Sequence, residues 1–134
     1  MIRVLTILLF ITIFNSVAFG RRDIDFNLLQ KINGTKWTLV EERKNTGLLH
    51  QKNKHPRQET ITFSDSTILF DLADLNYACN YKRVDYRLWL SCVESDQFIY
   101  TIWKLSSQRL IIDIQTRTKH GFIKNKRVTY LRKL

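Results

Sequence analysis

From Thr35 to the C-terminus, apolar side chains recur at every second position, in short runs broken by Gly, Asn, Asp, Ser or charged residues. Alternation of this kind buries one face of a strand and leaves the other in water, so it restricts the fold more than any other feature of the chain. The runs are WTLVE (37–41), ETITFS (59–64), STILFDL (66–72), LNYACNYK (75–82), YRLWLSC (86–92), FIYTIWKL (98–105), RLIIDIQT (109–116) and RVTYLRKL (127–134). Ile68, Phe70 and Leu72 are in phase, as are Leu75, Tyr77, Cys79 and Tyr81, then Tyr86, Leu88, Leu90 and Cys92, then Val128, Tyr130 and Leu134. FIYTIWKL is apolar on both faces, as a central or interface-forming strand would be.

No helix-length insertion separates the runs, which argues against a parallel sheet with crossover helices. The expected fold is all-β, an antiparallel meander of about eight strands. Closure into a small barrel would remove its exposed edges. Ahead of the strands, IDFNLLQKI (24–32) places apolar residues at 24, 28, 29 and 32, the spacing of one or two turns of amphipathic helix.

The first 20 residues, MIRVLTILLFITIFNSVAFG, have the layout of a cleaved export signal. Arg3 supplies a positive start, an apolar run follows, and small residues suit cleavage after Ala18 or Gly20. The run is shorter than a spanning helix requires, and Arg21, Arg22 and Asp23 end it abruptly. A secreted or periplasmic destination is expected, with one domain over residues 21–134. Export places the chain where disulfides persist.

Two cysteines, Cys79 and Cys92, bracket what reads as a hairpin turning at Asp85 and Tyr86. A register whose partners pair Tyr81 with Leu90 also sets Cys79 opposite Cys92 and Tyr77 opposite Glu94. Directly opposed cysteines have the short Cα separation that a disulfide needs. A catalytic pair would be closely spaced beside a helix, and a zinc site would need four ligands where no histidine is near in sequence. The pair is therefore expected to be a structural bridge, with neither metal nor cofactor.

The helical turn, the NGTKW segment at 33–37 and the terminal YLRK at 130–133 resemble the calycin superfamily, in particular small bacterial lipocalin-like domains. The resemblance implies that Trp37, following Gly34, closes one barrel end, and that Arg132 from the last strand lies over its ring. The family spaces its Gly and Trp as GxW, and here one more residue intervenes. YACNY (77–81) is also similar to a stretch of secreted lysozyme-inhibitor barrels.

Function classes follow from what is present. No HExxH, GxSxG or phosphate-cradling glycine loop occurs, and His50, His55 and His120 sit in basic polar segments. A non-enzymatic binding protein is expected; a His-dependent hydrolase or nuclease would require those histidines to converge with a Lys, Asp or Glu. Candidate cavity residues for a small apolar or amphipathic ligand are Phe63, Phe70, Tyr77, Tyr81, Leu90, Tyr100 and Ile112, all equally suited to a packed core. Trp89 and Trp103 phase outward and would suit a protein interface, such as that of an inhibitor of an extracellular enzyme or a cell-envelope component.

The formal net charge is +10, and it is unevenly spread. Residues 43–58 carry Arg43, Lys44, Lys52, Lys54 and Arg57 without an acid, and the segment reads as a longer connection belonging to loops or strand ends. Residues 117–134 carry Arg117, Lys119, Lys124, Lys126, Arg127, Arg132 and Lys133, again without an acid. Such a face steers anionic partners, for example an envelope component or an acidic protein. Export and the lack of a recognition motif argue against nucleic acid. Asn33-Gly34-Thr35 is a formal N-glycosylation sequence in a eukaryotic setting only. If the cysteines are bridged, the mass of the oxidised chain will lie below that of the reduced chain by two hydrogen atoms, which intact-mass spectrometry with and without reductant will show.

Overall fold

The computed structural model describes residues 22–46, 49–53, 56–92 and 97–134; the expected leader, Lys54, His55 and Glu94 lie outside them. Ten strands and one short helix follow in order: β1 (Asp23–Ile24), α1 (Phe26–Gln30), β2 (Lys36–Thr46), β3 (Leu49–Asn53), β4 (Glu59–Phe63), β5 (Thr67–Leu72), β6 (Asn76–Val84), β7 (Arg87–Ser91), β8 (Gln97–Leu105), β9 (Arg109–Thr118) and β10 (Gly121–Lys133). Neighbouring strands pair antiparallel from β4 to β10, and β2 joins β4 to β10. Because β8 pairs with both β7 and β9, the sheet closes into an eight-stranded barrel of β2 and β4 to β10. These eight strands correspond to the eight alternating runs.

Inward positions form one core: Trp37, Leu39, Ile61, Phe63, Ile68, Phe70, Cys79, Leu88, Leu90, Tyr100, Ile102, Leu110, Ile112, Val128 and Tyr130. One end is shut by α1. Asp25 caps it, its carboxylate accepting from the Leu28 amide at 3.1 Å, and Leu29 and Ile32 enter the core beside Trp37. β1 adds a two-residue parallel pairing to β8 that anchors the helix from its other side.

The β6–β7 hairpin has the expected register, with Tyr81 opposite Leu90 and Val84 opposite Arg87. Asp85 opens the two-residue turn at φ 56°, and Cys79 is bonded to Cys92 with Cα atoms 4.3 Å apart, the separation of a closely spaced antiparallel pair.

Two expectations are corrected. Within residues 43–58 there is more strand than loops or strand ends imply: β2 continues to Thr46 and pairs with β3, from Glu42 opposite Asn53 to Thr46 opposite Leu49, as an arm beyond the barrel strands. Its alternation is invisible in sequence because few of its residues are apolar. Leu75 and Leu134, placed on inner faces by phase, are exposed because they fall in a turn and at the chain end.

Three β-bulges change the phase of the wall. Val40 is the extra residue of β2 against β10, Trp103 of β8 against β9, and Asn125 of β10 against β9. Each reverses which face later residues occupy. Reducing the Cys79–Cys92 bond is expected to cost about 3 kcal/mol, the chain-entropy value for a loop of this length; denaturant midpoints measured with and without reductant, against a Cys79→Ser/Cys92→Ser control, check this.

Candidate functional site

The closed end is built from NGTKW. Gly34 adopts φ 86°, a left-handed turn that favours glycine, and its amide donates to the Phe63 carbonyl at 2.6 Å. The residue beyond GxW has a structural use: the Trp37 indole N–H donates to Thr35 Oγ1 at 2.8 Å, and that hydroxyl donates to the Ile32 carbonyl at 2.6 Å. A fully buried indole thus keeps its hydrogen bond. The Arg132 guanidinium sits 6.0 Å from the Trp37 ring centroid. Trp37 and Arg132 are therefore brought together at the closed end.

The opposite end, the mouth, holds an ionic network whose buried carboxylates, Glu42 and Glu59, the sequence reading did not single out. The Val40 bulge turns Glu42 inward; unbroken alternation from Trp37 and Leu39 would have chosen Glu41. Glu59 begins β4 in phase with Ile61 and Phe63, and it too is buried. Its Oε2 accepts from the Tyr130 hydroxyl at 2.6 Å, and its Oε1 from Arg57 at 3.1 Å. Arg57 also stands 3.8 Å from Glu42, and Lys126 Nζ is 3.0 Å from Glu42 Oε1. The chain Lys126–Glu42–Arg57–Glu59–Tyr130 thereby stitches β10, β2, the segment before β4, and β4 together.

Burial by itself would raise the Glu42 carboxyl. The hydrogen bond and charge of Lys126, with Arg57 and Lys44, outweigh it and hold the group below its ordinary 4.5. The Tyr130 and Tyr100 phenols are pushed far above their ordinary value, first by burial and then by the nearby Glu59 charge. Both stay protonated, and Tyr130 is fixed as a donor.

The candidate cavity residues are taken up by packing. Phe70 stacks on Tyr77 at 4.8 Å and meets Tyr100 edge-on at 6.4 Å; Phe63 meets Tyr81 at 6.3 Å. The Tyr81 hydroxyl donates to the Ser64 carbonyl at 2.9 Å. Leu90 and Ile112 are core residues. Two clefts of about 340 and 330 Å³ open on the outer wall, the first lined by Val40, Arg43, Ile111 and Arg127, the second by Thr60 and Asp71.

The outward tryptophans differ. Trp103, the bulge residue of β8, has guanidinium groups of Arg127 and Arg22 at 4.7 and 5.6 Å from its ring, so the chain's own cations cover it. Arg127 in turn forks onto Asp113 at 2.6 and 3.0 Å. Trp89 remains 43 % exposed and meets Phe122 edge-on at 5.9 Å.

Of the basic residues, Lys126, Arg127 and Arg57 are tied to acids, and Arg43 bridges to Glu41. Lys44, Arg117 and Lys119 are exposed. The side chains of Lys52 and Lys124 lie outside the described residues, although their backbones belong to β3 and β10. His120 is exposed in the β9–β10 turn, and among the described residues no group of His, Cys, Asp and Glu could hold a metal. No helix among them is long and apolar enough to cross a membrane.

No protein-family model matches this sequence, and no curated protein matches it. The closed eight-stranded barrel is calycin-like in general form.

Two measurements test the mouth. A carboxyl held low in the fold stabilises it above the unfolded value near 4.5 and loses that contribution as pH falls through the lower folded value. Stability should therefore decline as pH falls below about 4.5, and Glu42→Gln should flatten that decline in urea titrations. Tyr130→Phe is expected to cost about 1.5–3 kcal/mol, because it removes the hydroxyl donor from a buried carboxylate.

Proposed function

We propose that this chain is an exported, non-enzymatic binding protein of the small lipocalin-like kind, which docks the basic mouth end of its barrel onto an anionic partner. The observation that carries the reading is the register of the arm sheet β3–β2–β10–β9. It sets Lys44 opposite Lys126, Arg43 opposite Arg127, and Lys52 opposite Arg43. Like charges directly opposite one another destabilise a sheet.

Glu41, Glu42 and Asp113 neutralise part of this charge. Lys44, Arg117 and Lys119 add exposed cations, so the arms keep a positive excess that an anionic surface would relieve. The aromatic filling of the barrel favours the exterior over an internal ligand pocket. Export is supported by the signal-like first 20 residues, and the lipocalin-like kinship by Trp37 under Arg132 at the end shut by α1.

The test is a titration of the mature protein with a soluble polyanion, polyphosphate, over a range of salt concentrations. Affinity should fall steeply as salt rises. Lys44→Gln combined with Lys119→Gln should weaken binding several-fold, whereas Lys31→Gln, an exposed lysine at the closed end, should not. Equal binding by all three proteins, or no binding at all, would remove the reading.

A further inference from the structure

We infer that the anionic partner is a phospholipid bilayer surface, entered by the tip of the β9–β10 hairpin; the inference rests on the docking reading above. The hairpin turns at Lys119 and His120, and β10 resumes at Gly121 with φ 106°, the Thr118 hydroxyl donating to the Gly121 carbonyl at 2.8 Å. Directly after this turn come two apolar residues, Phe122 and Ile123. Ile123 is 53 % exposed.

Phe122 pairs with Arg117 and Ile123 with Thr116, so the two point to opposite faces of the hairpin. The Asn125 bulge sets this arrangement. Counting back from the inward Val128 and Tyr130 would turn Phe122 inward, but the extra residue reverses the phase and brings Phe122 out against Trp89. Directly behind the turn, Ile123 is thus exposed on one side of the hairpin, and on the other the half-buried Phe122 packs against Trp89, itself 43 % exposed. An acidic protein or a polysaccharide laid along the wall would use one face only. A hairpin end with Ile123 on one face and the Phe122–Trp89 pair on the other is suited to shallow end-on entry among headgroups.

The collar supports the same partner. Arg117 and Lys119 are exposed, Lys124 follows Ile123 in the strand, and Lys44 stands on the adjoining arm; residues 114–134 contain no acid. Lys119 in the turn and Arg117 opposite Phe122 flank the apolar pair and meet anionic headgroups, and each contributes attraction that salt screens. Tryptophan is favoured at the same depth, where its ring is half in water.

The chain has three tryptophans; Trp37 is buried and Trp103 is covered by guanidinium groups, so a change of fluorescence on docking reports mainly Trp89. The experiment is co-sedimentation and tryptophan emission of the mature, oxidised protein with vesicles of phosphatidylglycerol mixed with phosphatidylcholine. Vesicles of phosphatidylcholine alone and soluble polyphosphate are run in parallel. The expected result is binding to the anionic vesicles with a blue shift that Trp89→Phe suppresses. Ile123→Asp should weaken vesicle binding about tenfold or more while leaving polyphosphate binding within about twofold. Ile123 is exposed on the arm, and an unchanged thermal melt will show that the variant folds.

Binding to polyphosphate with none to vesicles would overturn the lipid assignment and leave the docking reading standing, with an acidic polymer as partner. Equal binding to neutral and anionic vesicles, or wild-type vesicle binding by Ile123→Asp, would also overturn it. Binding to neither probe would remove both readings.

Discussion

The pairing of β8 with β9 is the contact on which the rest of the molecule depends. Without it, the meander would be an open sheet with two long edges, each a template for another chain. With it, every inward residue of the eight strands faces a common interior. Phe63, Ile68, Ile112, Trp37 and Tyr130 can then bury completely against one another. A chain this small has little core to spare, and that explains two additions. The helix shuts one end around the Trp37 indole, and the Cys79–Cys92 bond pins the hairpin that forms the far wall.

The mouth is organised on a different principle. There the barrel contains carboxylates, Glu42 and Glu59, each close to cations and one also bonded to the Tyr130 phenol. Buried ion pairs of this kind contribute little net stability, because desolvation offsets attraction, although breaking one is costly. Their effect is positional: they hold the segment before β4 against β2 and β10 and so define where the arms leave the barrel. Beyond that point the arms carry cations facing cations. The barrel is therefore sealed by an apolar cap at one end and bound together by an ionic network at the other.

Much of the architecture was legible in the sequence. The eight alternating runs became the eight barrel strands, the hairpin register was read correctly from the cysteines, and the apolar spacing at 24, 28, 29 and 32 marked the helical cap. The β2–β3 arm was missed because a strand rich in Lys, Gln and Asn that projects into water has no apolar face to alternate. Within the site, the inward placement of Tyr130 was legible through its phase with Val128. Thr35 could have been found by asking what a buried indole N–H would bond to.

By itself the sequence determined the class, the number of barrel strands, the disulfide and the uneven charge along the chain, because periodicity two, cysteine spacing and composition are local properties that no neighbour alters. Only the tertiary structure decided which acids are buried, which tryptophan is covered and which apolar residues reach the arm tip. The inward turn of Glu42, the placing of Trp103 and the outward turn of Phe122 each depend on a bulge, at Val40, Trp103 or Asn125. A bulge arises from the fit between two strands distant in sequence, and one extra residue on either of them exchanges the inner face for the outer.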